Sequence, residues 1–288
     1  MSACRTIPTV REMHEEASRL SKQGKRIGVV PTMGALHEGH LSLVQASRKE
    51  ADITIATIFV NPTQFSANED LSKYPRTIDQ DISMLSELGV DFVFLPTESE
   101  MYPPGFSTYV EPPKVAGLLE GEHRPTHFRG VTTVVTKLLL LTRADVAFFG
   151  QKDYQQSLVI RKMVEDLNIP TDIRVCPIVR DVDGLALSSR NVYLSPEERK
   201  IALSISQTLN ELREKVEQGG ERDGAALETW MLSCLRERGI ANIDYALVAD
   251  ANTLERQKLL GLPAVALIAA FVGNTRLIDN VVIGETNR

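Results

Sequence analysis

The sequence has few cysteines and no excess of positive charge. Its three cysteines, Cys4, Cys176 and Cys234, are scattered, odd in number and without metal-ligand spacing. That pattern argues against a disulfide framework and favours a reducing compartment, so we expect a cytoplasmic protein. The formal net charge of −6 argues against broad nucleic-acid binding, because such binding usually needs a basic face.

Long apolar segments are also missing. The longest apolar run, residues 264–272, is too short to cross a bilayer, and the first twenty residues contain no apolar segment typical of a signal peptide. What is present is ordinary for a globular protein: 288 residues, 43% of them apolar and 24% charged, without internal repeats. We therefore expect one large or two modest domains acting on small molecules, with neither a membrane nor a nucleic acid as partner.

Strand and helix patterns alternate through the first part of the chain. Apolar, β-branched runs predict buried strands at residues 26–31, 52–60, 91–95, 146–149 and 172–179. Helical spacing of apolar residues predicts helices at 9–24, from 39 onward, and at 78–88, 131–141 and 154–167. This alternation indicates an α/β fold with a Rossmann-like, doubly wound parallel sheet. A proline-rich excursion at 101–121 interrupts it, and there we expect one short strand at 107–110.

The last third has a different pattern. Ser195, Pro196 and Glu198 form a helix start signal, and the helix should run to about residue 218. A second helix at 224–238, a strand at 242–248 and a hairpin of residues 264–271 and 275–283 should follow. We therefore predict a Rossmann-like domain of residues 1–182 and a small α+β lid domain of residues 183–288, with a turn at Asp183–Gly184 beside the boundary.

The first predicted strand leads into a loop that contains two histidines. A strand, a glycine-bearing loop and a helix N-terminus follow one another here, and such an arrangement can hold a phosphate on backbone N–H groups and the helix dipole. His37 and His40 are three residues apart, so they share one helix face. Zinc is a poor alternative, because the zinc-protease motif needs histidines four apart and no third ligand is near. By itself, a turn of this kind is weak evidence for a ligand.

Two further polar positions follow predicted strands. Gln64 lies just after the strand at 52–60, and its amide suits a hydroxyl or a carboxylate. Lys152 follows the strand at 146–149 at the start of a helix, where a point charge suits triphosphate oxygens, and Gln156 lies one turn further on. Taken singly, Gln64 is better read as a plain turn glutamine, and Lys152 is ambiguous because surface lysines at helix starts are common.

Two loops could attract anions. The segment 181–191 begins with Asp181 and Asp183, as a calcium loop does. Counted from Asp181, however, the sixth and twelfth positions hold Ala186 and Val192, which excludes that site. Its end, Ser188–Ser189–Arg190, reads either as a phosphate-binding loop or as a polar linker. The segment 121–130 gathers His123, Arg124, His127 and Arg129 as either a substrate-attracting rim or a solvated basic loop.

Taken together, these motifs are far more specific than any of them alone. The histidine loop resembles the signature of nucleotidyltransferases and class I aminoacyl-tRNA synthetases. Together with Phe59–Phe65, Tyr74–Arg76, Phe149–Asp153 and Asp183–Asn191 in this order, it resembles the pantoate–β-alanine ligase family across nearly the whole chain. The resemblance implies ATP-dependent condensation of pantoate with β-alanine through a pantoyl adenylate, with release of AMP and pyrophosphate.

The resemblance also implies roles for residues. His40 would be the proton donor, and the catalytic set would further include His37, Lys152, Ser188, Ser189 and Arg190. Gln64 and Gln156 would bind pantoate, with Gln64 also near β-alanine. Asp81 would contact a metal, unless Mg²⁺ sits mainly on the triphosphate. The residues implied in ATP binding are Met33, Gly34, Ala35, Leu36, His37, Glu38, Gly39, His40, Gly150, Gln151, Lys152, Asp153, Val179, Leu187, Ser188, Ser189 and Arg190.

The resemblance further implies a homodimer. Two other classes stay open at this stage: another adenylate-forming nucleotidyltransferase that acts on a different small carboxylate, such as a synthetase relative, and a non-catalytic nucleotide-binding module. A nucleotide-binding module would not need two histidines, a lysine and a serine loop together.

Overall fold

A computed structural model describes residues 4–65, 71 and 74–284. The chain divides into two compact units. The first contains the residues up to Gln151 and Gln155–Pro177, and the second contains Lys152–Tyr154 and the residues from Ile178 onward. The predicted functional division into residues 1–182 and 183–288 stays a prediction.

The first unit is built on a six-stranded sheet of order β1-β4-β3-β2-β5-β6. Its strands are β1 Arg5–Ile7, β2 Ile27–Thr32, β3 Ile53–Ile58, β4 Phe92–Phe94, β5 Val146–Gly150 and β6 Asp172–Cys176. Every pairing between these strands is parallel. This confirms the predicted Rossmann-like sheet. The edge strand β1 was not predicted, because three residues are too short to show a strand period.

Helices cover this sheet. They are α1 Val10–Lys22, α2 Glu38–Glu50, α3 Ile78–Glu87, α4 Glu98–Met101, α5 Glu120–His123, α6 His127–Thr142 and α7 Tyr154–Asp166. Alternate residues of the central strands face different cores: Val29 packs in the cluster that includes α1 and α6, whereas Val30 packs in the cluster that includes α2. Both faces are therefore buried, which explains why the strands read as continuous apolar runs.

The proline-rich excursion is irregular, as expected, but the strand predicted at 107–110 is wrong. The backbone of Val110 forms hydrogen bonds with α6 instead of with a neighbouring strand. Its N–H donates to Thr133 Oγ1 at 3.1 Å, and its carbonyl accepts from Thr132 Oγ1 at 2.6 Å. Since these threonine hydroxyls satisfy both backbone groups, the segment has no need of a strand partner.

The second unit packs two helices against a three-stranded antiparallel sheet of order β7-β8-β9. Its elements are α8 Pro196–Glu217, α9 Gly224–Glu237, β7 Ile243–Asp250, β8 Ala264–Val272 and β9 Thr275–Ile283. The predicted hairpin is confirmed as β8 and β9, with Val272 paired to Thr275. Arg180 also binds Asp279 on β9 through its two terminal guanidinium nitrogens, at 2.6 and 3.0 Å, so the start of the unit is tied to its sheet. None of the helices described in residues 4–284 is both long and apolar enough to cross a membrane.

Candidate active site

The first unit has a topological switch point beside β2. This strand pairs with β3 on one side and with β5 on the other. The loops after β2 and β5 therefore leave the carboxyl edge of the sheet next to each other, where open α/β sheets bind ligands. The loop after β2 is residues 33–37 and leads into α2, and the chain after β5 continues into Gln151.

The two histidines cap the start of α2 with their own side chains. His37 Nδ1 accepts from the N–H of Gly39 at 3.1 Å, and His40 Nδ1 accepts from the N–H of His37 at 3.4 Å. A nitrogen that accepts a hydrogen bond carries no proton, so in each neutral ring the proton lies on Nε2. The rings lie 4.2 Å apart, centroid to centroid. The capping thus fixes two imidazoles side by side, each with an Nε2–H donor.

Asp81 binds the backbone of the same loop. Its side chain is on α3, is only 1% exposed, and accepts from the N–H groups of Ala35 at 3.0 Å and Leu36 at 2.9 Å. Thr77 Oγ1 donates to it as well, at 3.1 Å. Ala35 has a φ of +49°, a left-handed conformation that needs such support in a residue with a Cβ. In the structure Asp81 is therefore a partner of the loop backbone, and its expected metal contact stays a prediction.

These contacts change how the loop can bind an anion. The N–H groups of Gly34, Ala35 and Leu36 already donate to Thr32 Oγ1 or to Asp81. The N–H groups of His37 and Gly39 donate to the imidazoles. In the structure these donors bond within the loop, so the backbone cradle expected at these positions stays a prediction. His37 and His40 add side-chain donors to the same loop.

Gln64 lies against the histidine loop. It ends a short 3₁₀ turn after β3, its side chain is buried, and its Nε2 lies 3.1 Å from the sulfur of Met33. Its Oε1 accepts from Asn61 Nδ2 at 3.1 Å. The structure thus brings together the predicted pantoate-binding glutamine and a residue of the predicted ATP loop. Asn61 itself received no role from the sequence, although it lies in the same motif.

The segment 121–130 is neither a free rim nor a solvated loop as a whole. His127 is buried, and its Nδ1 lies 3.0 Å from the carbonyl oxygen of Gln64. Arg124 lies 3.4 Å from the same oxygen and 3.8 Å from Glu120. Arg129 lies outside, over the Tyr109 ring at 4.1 Å. Two of the four nitrogen side chains therefore support the turn that carries Gln64.

Two adjacent glutamines, Gln155 and Gln156, lie in the first turn of α7 and differ in their contacts. Gln155 is buried, donates to the carbonyls of Val115 and Leu118, and accepts from the N–H of Glu120. Gln156 is half-buried and makes none of these bonds. Gln156 is therefore available as the predicted substrate ligand, and that role stays a prediction.

Within the second unit, the lysine and the serine loop line one cavity. Ser188 and Asn191 belong to this loop. Lys152 lies in the short segment Lys152–Tyr154, which belongs to the second unit although the residues on either side of it belong to the first. The Asn280 amide donates to the carbonyl of Lys152 at 2.9 Å. The Oδ1 of Asn191 is buried without a hydrogen-bond partner among the described residues, so it can accept from a bound molecule. The full lining is Lys152, Leu185, Ala186, Ser188, Asn191, Ile205, Leu277, Ile278 and Asp279.

The serine loop is held by local hydrogen bonds. Ser188 Oγ accepts from the N–H of Arg190 at 3.2 Å, and Asn191 Nδ2 donates to the carbonyl of Ala186 at 3.0 Å. The N–H of Leu187 donates to the carbonyl of Val179 at 3.0 Å. Five of the predicted nucleotide contacts therefore lie on this loop and its base: Val179, Leu187, Ser188, Ser189 and Arg190.

The aspartates that begin this segment have a structural partner. Arg199 donates to Asp181 at 2.6 Å and to Asp183 at 2.9 Å, and its guanidinium lowers the pKa of Asp183. In the described ranges no three His, Cys, Asp or Glu side chains form a group that could hold a metal ion.

Known proteins match nearly the whole chain. A family model described as pantoate-beta-alanine ligase matches residues 5–282. A pantothenate synthetase of Thermotoga petrophila is 49% identical over 96% of this chain and 99% of that protein. The crystal structure of pantothenate synthetase from Thermus thermophilus is similar with a TM-score of 0.91 and 43% identity, covering 96% of this chain and 98% of the other.

A third similar protein was solved with ligands. It is the pantoate-beta-alanine ligase of Francisella tularensis, complexed with beta-gamma ATP and beta-alanine. It has a TM-score of 0.81 and 37% identity, covering 97% of this chain and 98% of the other.

Proposed function

The chain belongs to the pantoate–beta-alanine ligase family, and we propose how its residues divide the work of that reaction. The enzyme condenses pantoate with β-alanine at the expense of ATP. The pantoate carboxylate attacks the α-phosphorus of ATP, and the bond to the pyrophosphate leaving group breaks. The β-alanine amine then attacks the acyl carbon of the pantoyl adenylate, loses a proton, and displaces AMP to give pantothenate.

One observation supports this assignment most: the 3.1 Å approach of Gln64 Nε2 to the Met33 sulfur. Gln64, the proposed binding residue for pantoate, lies next to the proposed ATP loop. Attack of the pantoate carboxylate on a phosphate of ATP requires the two substrates to be adjacent. Neither step needs a protein nucleophile, so alignment and charge stabilisation should supply most of the rate enhancement.

His37 and His40 act on the nucleotide through Nε2. Because Nδ1 of each ring accepts a backbone N–H, each neutral ring presents an Nε2–H donor. Such donors suit the oxygens of a phosphate that gains charge as its phosphorus becomes five-coordinate. This supports His40 as the proton donor and His37 as its partner.

Lys152, Ser188, Ser189 and Arg190 neutralise negative charge on the phosphates. Lys152 and Ser188 line one cavity, which supports their acting on one ligand. The remaining nucleotide contacts fall to Gly150, Gln151, Asp153, Val179 and Leu187, together with Met33–Gly39. Gln64 and Gln156 hold pantoate, and Gln64 also lies near the β-alanine position.

Mg²⁺ enters with ATP as part of the substrate. The described residues form no cluster of three acidic, histidine or cysteine side chains, and both oxygens of Asp81 already accept hydrogen bonds. This fits an ion carried mainly on triphosphate oxygens and water, as Mg²⁺ prefers. A cytoplasmic location and a homodimeric state complete the proposal; light scattering in solution tests the dimer.

A pyrophosphate exchange assay tests the proposed function. With the purified chain and Mg-ATP, labelled pyrophosphate should enter ATP only when pantoate is added, and adding β-alanine should then yield pantothenate. Exchange stimulated by an amino acid instead would indicate a synthetase relative. No exchange with any carboxylate would indicate a binding module and overturn the proposal.

A further inference from the structure

The side chain of Gln64 is held in one orientation by a buried neighbour. Asn61 is 1% exposed, and its Nδ2 donates to the carbonyl of Gly130 at 3.2 Å, while its Oδ1 accepts from the N–H of Thr63 at 3.4 Å. A backbone carbonyl only accepts and a backbone N–H only donates, so these two groups fix which end of the Asn61 amide is nitrogen.

The fixed Asn61 amide then determines the Gln64 amide. Asn61 Nδ2 lies 3.1 Å from the end of the Gln64 side chain, and a donor there requires an oxygen. Gln64 therefore turns its Oε1 toward Asn61 and its NH₂ group toward the Met33 sulfur, a weak acceptor. A ligand beside Met33 meets N–H donors of Gln64, not its carbonyl.

Tyr102 is the residue that secures Asn61 from outside the motif. Its hydroxyl donates to Asn61 Oδ1 at 2.8 Å, the shortest of the bonds to this amide. The ring of Tyr102 packs against Phe59 at 6.1 Å and Phe106 at 5.0 Å between centroids. A tyrosine hydroxyl keeps its proton at neutral pH because its ordinary pKa is about 10, and burial raises the pKa of the Tyr102 phenol further. The donor is thus held by its packing and is protonated at neutral pH.

The backbone of Gln64 is fixed independently. Its carbonyl lies 3.0 Å from His127 Nδ1, and a Cβ placed on Gly130 would lie 2.5 Å from the carbonyl oxygen of Thr63. The 3₁₀ turn therefore packs directly on α6. With its backbone held by α6, the remaining freedom of Gln64 is in its side chain, which Asn61 and Tyr102 restrict.

We propose that Tyr102 is a positioning residue for pantoate binding, acting through Asn61 to keep the Gln64 N–H groups directed at an oxygen of the substrate. This rests on the proposed function, in which Gln64 binds pantoate. The geometry selects an acceptor at that point of the ligand, such as a hydroxyl or carboxylate oxygen. A cationic group there has no lone pair to offer and is rejected.

The test is the Tyr102→Phe variant, which keeps the ring and removes only the hydroxyl. Measured by pyrophosphate exchange, its KM for pantoate should rise about fivefold to tenfold, the loss expected for one hydrogen bond. Its KM for ATP should stay within about twofold. Tyr109→Phe is the matched control, because Tyr109 stacks on Phe106 in the same aromatic row but is 38% exposed and lies outside the Asn61 network.

A double-mutant cycle distinguishes positioning from a general structural effect. In a Gln64→Ala background, Tyr102→Phe should change the KM for pantoate by less than about twofold, because residues that act through one another are not additive. The inference is overturned if Tyr102→Phe leaves the pantoate KM unchanged, if it raises the ATP KM equally, or if its effect persists in full without Gln64. Absence of pantoate-dependent exchange in the unmodified enzyme would instead overturn the proposed function.

Discussion

At the scale of the residue, hydrogen bonds fix the side chains and the loops of the candidate site. The rings of His37 and His40 cap α2 through Nδ1, so each neutral ring carries its proton on Nε2, the nitrogen that we propose donates to the nucleotide. Asp81 and Asn61 are both 1% exposed: Asp81 binds the backbone of the histidine loop, and Asn61 binds the side chain of Gln64.

Replacing His40 or Lys152 by Ala should lower the rate of adenylate formation on the order of 10²-fold or more, since each loss removes charge stabilisation at the phosphate. Pantoate-dependent pyrophosphate exchange measures the effect. His14→Ala is the matched control, because His14 lies exposed on α1 and should leave the rate unchanged. A folded His40→Ala enzyme with near-normal exchange would remove His40 from the mechanism.

Asp81→Asn should distort the histidine loop. Asn can accept from one of the Ala35 and Leu36 N–H groups, but its own NH₂ would then face the other donor. An unsatisfied buried donor costs about 1–3 kcal/mol, so we expect a lower melting temperature together with roughly a tenfold rise in the KM for ATP.

The control for this variant lies on the same helix. Asp79→Asn removes an exposed carboxylate from the first turn of α3 and should alter neither quantity. An Asp81→Asn enzyme with normal melting and a normal KM for ATP, but a changed dependence on Mg²⁺, would favour the metal role of Asp81 instead.

At the scale of the element, α2 packs closely on β2, and the histidine loop connects the two. Gly28 on β2 allows this approach: a Cβ there would lie 2.3 Å from Ser47 Oγ and 2.8 Å from the Cβ of Ala51. The helix whose N-terminus carries His37 and His40 therefore rests directly on the strand that leads into their loop.

Gly28→Ala should push α2 away from the sheet. Overpacking of this kind costs about 1–3 kcal/mol, and the shift of the helix should lower kcat as well as stability. Urea denaturation and exchange kinetics measure the two effects. In Gly117→Ala, where the added Cβ has no neighbour within 4 Å, both should match the unmodified enzyme. Equal stability of the two variants would contradict the packing argument.

At the scale of the whole molecule, ion pairs join segments that are far apart in sequence. Glu50 at the end of α2 accepts from Arg174 on β6 at 2.7 Å and from Arg26, just before β2, at 3.1 Å. The hydrogen bond from Arg174 is the main reason that the pKa of Glu50 lies below its usual range, and Arg26 adds to it. Three elements of the first unit meet at this carboxylate.

This pKa shift predicts a pH-dependent contribution to stability. A lowered pKa in the folded state stabilises the fold above the unfolded-state value of roughly 4.3, and the contribution is lost as the pH falls through the folded value. Glu50→Gln should therefore unfold more easily at pH 7 by about 0.2–1 kcal/mol, the range for exposed pairs, and its difference from the unmodified enzyme should become smaller as the pH is lowered to 3.

Urea titrations at the two pH values test this contribution. Glu87→Gln, at an exposed position on α3, should show no difference at either pH. A penalty for Glu50→Gln that stays the same at both pH values would exclude the ionic origin.

The sequence by itself determined most of the strand and helix order, the hairpin of β8 and β9, the capped start of α8 and the family. The elements depend on neighbours within a few residues, because apolar runs, helical spacing, turn residues and caps are local properties of the chain, and the family resemblance adds several such motifs in one order. The sequence did not predict β1 or the irregular path around Val110. Three residues show no measurable strand period, and the backbone of Val110 is held by threonines of α6.

Only the tertiary structure decided which polar groups hold the site. Asp81 bonds to backbone groups 45 and 46 residues away, Gln64 approaches Met33 across 31 residues, and Tyr102 reaches Asn61 across 41. No local pattern marks such pairs, since a hydrogen bond requires two distant segments to be placed within about 3 Å of each other, and only the packed sheet and helices fix that distance.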